Sequence, residues 1–370
     1  MTVGLIESPD ALKTLCDELK THHCIAIDTE FARERSYFPH IGLIQIAGDG
    51  LLACVDPLAF DVKPQLSELL FNNSITKVFH ACLQDLEVLE LTLGKIPCPL
   101  FDTQLATALM QEDHQISYAR LVDRELNIQL PKSETRTDWL KRPLTKAQLD
   151  YAADDVRYLL PLYQQQLTEL QALDRSPWMQ EECDRLCRRI FNDEAELSDC
   201  WLRVKGKERL RGIELAVLQA AAVWREHQAI ARDRPRRRIL PDDGLIQIAK
   251  HQPSNISELG QINRIGKSLD MSELAALSET ICSVYDRNEA EWPTLKRRQL
   301  TQQQSVMLGA VLETLKEKAA DLGISAGMLC NRRDAEKLVL GKRDLAVLRG
   351  WRLDCIGNDL MKLVLSAPEH

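Results

Sequence analysis

Asp28-Thr29-Glu30 stands at the end of a short apolar run, Cys24-Ile-Ala-Ile-Asp28. Side chains alternate along an extended strand, so Asp28 and Glu30 share one face, about 7 Å apart. Two carboxylates so placed can share a divalent cation, which takes oxygen ligands. The pair also reads as solvated acids at a strand end, with Thr29 a local cap. A further carboxylate, Asp85, follows in His80-Ala-Cys-Leu-Gln-Asp85, where a strand gives way to a helix. There it either turns inward to the same cation or serves the first turn of the helix. The third group is Tyr151-Ala-Ala-Asp154-Asp155. On a helix Tyr151 and Asp155 are four apart and share a face. A phenol and a carboxylate there can orient a water and bind a metal. Spacing alone does not exclude Asp154, and Tyr151 also fits a core position beside exposed acids.

Other residues compete for roles. His80 is a candidate substrate contact, though a polar strand-end residue beside the site is the plainer reading. Phe31, directly after the acids, either stacks on a terminal base or packs beneath the sheet. Asp102 ends a strand and reads better as the N-cap of the helix behind it than as a ligand. The basic run Arg232–Arg238, broken by Asp233 and Pro235, offers Arg236, Arg237 and Arg238 to phosphate; a solvated turn fits it equally. Two motif matches fail on context. Gly323-Ile-Ser-Ala-Gly327 lacks the strand that a nucleophile elbow needs, and Ser325 reads as a helix cap. Gly266-Lys267-Ser268 has Gln261 where a phosphate-binding loop needs glycine.

The elements that must carry these groups follow from apolar patterning. A helix is expected near Asp10–Thr21, then strands at Cys24–Asp28, Gly42–Ala47 and Leu51–Val55, with Gly48-Asp49-Gly50 a tight turn between the last two. That predicts an antiparallel meander. Helix at Gln65–Phe71, strand at Thr76–His80, helix at Leu83–Leu93 closed by Gly94, and strand at Leu100-Phe101 come next. The mixture implies a mixed sheet covered by helices. From Leu144 the signal is helical, with a polar connection near Asp199–Lys207 and helices at 178–191, Glu208–Ile230, Thr301–Leu322 and Arg333–Leu340. Pro241, Pro253, Gly260 and Pro293 read as dividers. One α/β domain and two helical bundles are the expectation.

Composition excludes some classes. No apolar run approaches a membrane span, and Met1–Asp10 has no signal-peptide pattern, so a cytoplasmic location is expected. The 11 cysteines are scattered without a C-x-x-C pair and read as reduced thiols, with neither zinc nor disulfides. The net charge of −8 hides an asymmetry. Residues 1–205 carry 21 basic and 33 acidic groups, net −12; residues 206–370 carry 26 and 22, net +4. An acidic front suits a carboxylate metal site, and a mildly basic rear suits phosphate.

Taken together and in this order, D-x-E on a first strand, an Asp opening a later helix and Y-x-x-x-D on another resemble the DEDD exonucleases, in their tyrosine (DEDDy) subgroup. Ile41-Gly-Leu-Ile-Gln-Ile46 and Lys132-Ser-Glu-Thr-Arg-Thr-Asp-Trp139 resemble the ribonuclease D family. Leu218–Arg225, Pro235, Ile239, Asp242, Leu245-Ile-Gln-Ile-Ala249 and Pro253 resemble an HRDC domain. The resemblance implies a ribonuclease H-like exonuclease domain over 1–200, an HRDC domain over 207–290 and a second, divergent HRDC-like domain over 294–370. It implies a monomeric 3′→5′ exoribonuclease that trims precursor tRNA 3′ ends and other small structured RNAs, releasing nucleoside 5′-monophosphates. It further implies two divalent cations, Mg²⁺ or Mn²⁺, held by Asp28, Glu30, Asp85 and Asp155. Asp28 bridges the two, Glu30 and Asp155 complete the first, and Asp85 serves the second. Tyr151 orients the attacking water; a phenol with a pKa near 10 is a poor base at pH 7. The competing readings are a DNA exonuclease and an inactive RNA-binding scaffold.

Overall fold

The computed structural model describes residues 4–131, 137–189, 191, 197–262, 265–295 and 300–366. Strand β1 is Gly4–Ile6, β2 Cys24–Ala32, β3 His40–Gly48, β4 Leu51–Val55, β5 Thr76–Phe79 and β6 Leu100–Asp102. They form one sheet in the order β1-β4-β3-β2-β5-β6. β3 and β4 pair antiparallel across a turn where Gly50 takes φ +75°, a conformation glycine adopts without strain. β1 runs parallel to β4, and β2, β5 and β6 run parallel to one another. The sheet is therefore mixed, as the pattern predicts. Ile25, Ala26 and Ile27 are all fully buried, which is why β2 reads as a continuous apolar run rather than an alternating one. The strand does not stop at Asp28 but carries both acids within it. β1 was not expected, because three residues hold no readable period.

Helices α1 (Pro9–Leu19), α2 (Lys63–Leu70), α3 (Leu83–Leu93), α4 (Thr103–Met110), α5 (Tyr118–Leu126), α6 (Lys146–Arg157), α7 (Leu159–Ala172) and α8 (Ser176–Cys187) accompany the sheet. α3 ends where predicted, at Gly94 with φ +89°. α6 opens on a reciprocal capping box between Thr145 and Gln148. Cys98 and Cys187 form a disulfide, with Cα atoms 6.1 Å apart, within the usual range. This corrects the expectation of reduced thiols throughout. The partners are 89 residues apart, and only the tertiary fold brings the approach to β6 beside the end of α8.

The rest is helical: α9 (Ile213–Ala231), α10 (Arg236–Ile239), α11 (Asp242–His251), α12 (Ile256–Gln261), α13 (Ile265–Ser268) and α14 (Met271–Tyr285), then α15 (Gln302–Leu322), α16 (Ala326–Leu329), α17 (Arg332–Val339), α18 (Gly350–Arg352) and α19 (Asn358–Leu365). Gly260 is the penultimate residue of α12, one residue before the break that precedes α13. Ser325 caps α16, accepting from the Gly327 N–H. Two compact units result: Met1–Phe31, Ile41–Arg189 and Gln299–His370 make one, Ala32–His40 and Ile190–Arg298 the other. In the first, Trp351 stacks on Trp178 at 4.5 Å, and Arg352 pairs with the buried Glu182 of α8. In the second, α9 packs on α11 and α14 through Leu215, Leu218, Leu245, Ile248, Leu277 and Ile281. Among the described residues no helix is long and apolar enough to cross a membrane.

Candidate active site

The site is built on β2, the start of α3 and the inner face of α6. Alternation along β2 sends Asp28 and Glu30 to the same side. On α6, Asp155 lies one turn beyond Tyr151. Asp28, Glu30 and Asp155 converge, each offering an oxygen, with those oxygens within 4.8 Å of one another. Asp85 is not part of that trio: its Oδ1 accepts from the Thr29 hydroxyl at 2.5 Å. The residue that spacing left as a local cap is thus the partner of the second-motif acid.

Two neighbours hold this frame. Asp102 caps α4, accepting from the Gln104 and Leu105 N–H groups, and also accepts from Ala81 (3.0 Å) and Cys82 (2.9 Å). It therefore fixes the turn that launches α3, and with it Asp85. Tyr118 donates its hydroxyl to the Asp154 carbonyl at 3.0 Å and accepts from the Tyr158 N–H at 3.2 Å. That ties down the end of α6; no local pattern marks Tyr118 for this. Trp139 lies beside the Tyr151 ring, centroids 6.2 Å apart. It also lies against Gly42, where an added Cβ would come within 2.6 Å of the Trp139 carbonyl oxygen. Gly42 is thus required by a close approach of backbones. Residues 132–136 of the second sequence signature lie outside the described residues.

Like charges meet in half-dry surroundings here. Burial, then the neighbouring Asp155 and Asp85, pushes the Glu30 carboxyl up to about 8. Burial likewise raises Asp85 and Asp155, each to about 7. Asp28 is raised well above the usual carboxylate range by burial and by Asp85, Asp155 and Glu30. A cluster that resists ionising alone is one that a cation relieves. Its donors are all hard oxygens, the chemistry of Mg²⁺ or Mn²⁺ rather than of a soft metal. Tyr151 donates to Asp155, and its phenol is raised by burial and by that charge. It is suited to holding a water and not to removing a proton.

The other candidates separate. His80 is wedged by its ring nitrogens, Nε2 donating to the Ile116 carbonyl (3.1 Å) and Nδ1 lying 2.9 Å from Thr103 Oγ1. Burial lowers its pKa, so both ring nitrogens serve the fold. Phe31 is half-buried at the far end of β2. Asp154 pairs with Arg157 at 2.8 Å and stands outside the trio. Arg236 is committed to Glu226 and lies over the Tyr37 ring, 4.6 Å from its centroid. Of the three arginines offered to phosphate, Arg237 and Arg238 are exposed, while Arg236 is a strut held by Glu226 and Tyr37.

Comparison with known proteins identifies the family. A family model for a 3′-5′ exonuclease matches residues 3–171, and one for the HRDC domain matches residues 214–269. Ribonuclease D of Zymomonas mobilis is 38% identical over 97% of this chain and 93% of its own length. That of Sphingobium indicum is 35% identical over 97% and 94%. The crystal structure of Escherichia coli RNase D, an exoribonuclease involved in structured RNA processing, superposes with a TM-score of 0.87 at 30% identity over 100% of both chains. With identity of this order sustained over nearly the full length, the chain belongs to the ribonuclease D family of 3′→5′ exoribonucleases.

Proposed function

We propose that this exoribonuclease uses two divalent cations, Mg²⁺ or Mn²⁺, to release nucleoside 5′-monophosphates from the 3′ ends of precursor tRNA and other small structured RNAs. Asp28, Glu30 and Asp155 would hold the first, Asp28 shared with the second, and Asp85 would serve the second. When bound, the cations supply charge that makes water acidic near neutral pH and steadies the departing 3′ oxygen. Tyr151, donating to Asp155, places the attacking water, and Glu30 assists. The observation that carries the reading is the convergence of three carboxylates from β2 and α6 within 4.8 Å.

The exposed Arg237 and Arg238 of the HRDC region are the basic groups we assign to RNA phosphates. We read residues 294–370 as a second, divergent HRDC-like bundle. What supports this is a shared element order: a long helix, a four-residue helix at Arg236–Ile239 or Ala326–Leu329, then a further helix beginning at Asp242 or Arg332.

The test uses the purified chain with a 3′-extended precursor tRNA and a matched single-stranded DNA, each with Mg²⁺, Mn²⁺ or EDTA, beside Asp28→Ala. Metal-dependent release of 5′-monophosphates from the RNA, lost in the variant, is the expected result. Preference for the DNA defeats the substrate assignment. Tight RNA binding without cleavage under either metal defeats the enzymatic one.

A further inference from the structure

We propose that Thr29 is the positioning residue of Asp85, aiming that carboxylate at the second of the two cations; this rests on the two-ion reading above. Thr29 and Asp85 are 5% and 7% exposed, and the hydroxyl donates to Asp85 Oδ1 at 2.5 Å. The Thr29 N–H and the N–H of Asp85 itself also donate to the carboxylate. Asp85 therefore meets the same short stretch of β2 that carries Asp28 and Glu30, through the residue between them. The alternation of the strand does two jobs. Even positions supply ligands, and the odd one supplies a donor to an acid from another element. A hard cation needs oxygens in fixed directions, and an acid in the first turn of a helix keeps rotamer freedom unless something holds it. Threonine suits the task because its branched side chain is itself restricted at χ1. Hydrogen bonds to a ligating carboxylate contribute about 10–100-fold to metal affinity.

Valine keeps the shape of threonine and removes the donor. Calorimetric titration of the full chain with Mn²⁺, without RNA, is expected to show two sites in the parent. In Thr29→Val one site is kept and the other is weakened at least about tenfold. Thr29→Ser restores both. With RNA, Thr29→Val lowers kcat at limiting Mn²⁺, recovers at high Mn²⁺ and leaves KM unchanged. In an Asp85→Ala background the valine adds nothing, since the hydroxyl acts through that acid. Melting in EDTA reports folding, and Thr29→Ala replaces the valine if the latter does not fold. Two unaltered sites in Thr29→Val, a serine variant as weak as the valine, or additive losses with Asp85→Ala overturn the proposal. A parent protein that binds one Mn²⁺ overturns the two-ion reading itself, and this inference with it.

Discussion

Glu182 of α8 and Arg352 form a buried ion pair across 170 residues of chain, their side chains 1% and 8% exposed. Burial works against the Glu182 charge, but Arg352 and the Trp351 indole N–H outweigh it and hold the carboxyl below its usual range. Within the unit that contains the sheet, the pair fastens the C-terminal helices α15–α19 to α8.

Removing one member leaves the other charged and dry. Glu182→Ala is expected to cost about 3–5 kcal/mol, read as a lower urea midpoint with early proteolysis beyond residue 299. A loss below about 1 kcal/mol, the range of exposed pairs, refutes the fastening role.

The carboxylate cluster makes stability depend on pH with a definite sign. Glu30 rises from 4.5 to about 8 in the folded chain, and Asp155 from 3.8 to about 7. Between these limits the folded state holds protons that the unfolded state has released, so stability falls as pH rises. In EDTA, the contribution of the cluster is fully present below about pH 4 and is lost by about pH 8. Mn²⁺ should abolish the decline by displacing the protons. Melting temperatures at pH 5 to 8 with and without Mn²⁺ test this, and parallel curves would sink it.

The two adjacent acids of α6 should differ sharply. Asp155→Asn removes a member of the converging trio and is expected to lower kcat at least about a hundredfold, the scale of a lost electrostatic group. Asp154→Asn breaks a half-exposed pair with Arg157 and should change kcat less than about threefold, with stability within about 1 kcal/mol. Single-turnover assays at saturating Mg²⁺ decide between them. Full activity in Asp155→Asn removes that residue from the ligand set.

Among the arginines of α10, position predicts function. Arg237→Ala with Arg238→Ala should weaken RNA binding and reduce the slope of log K against log salt by roughly one to two units. Arg236→Ala should instead lower the melting temperature, since Glu226 loses its cation, and leave the slope alone. Fluorescence titrations across a salt series separate the cases; an unchanged slope in the double variant places phosphate contact elsewhere.

What the sequence makes legible is what local chemistry dictates. Asp28 and Glu30 alternate on a strand, Tyr151 and Asp155 repeat on a helix, Gly94 ends α3 and Asp102 caps α4. Each relation spans a few residues and leaves a spacing to read. What stays hidden is pairing at long range. Thr29 meets Asp85 across 56 residues and Tyr37 meets Glu226 across 189, and Cys98 finds Cys187 across 89. No spacing encodes such partners, because the whole fold sets their distance. The convergence of Asp28, Glu30 and Asp155 was legible because their motifs are local, while the Thr29–Asp85 contact beside them was not.

The first unit is interrupted in the chain, since residues 190–298 are made before its last helices. On the ribosome, the face of α8 that carries Trp178 and Glu182 is therefore uncovered while Trp351 and Arg352 do not yet exist. During that interval the Trp178 ring lacks its stacking partner, and Glu182 has only Arg185, one turn along the same helix, and not Arg352. An apolar ring beside an acid short of its buried partner is a sticky patch on a nascent chain. Completion of this unit is thus gated by the emergence of Trp351 and Arg352 rather than by that of its sheet, and a stalled or truncated product would present that patch to chaperones and proteases.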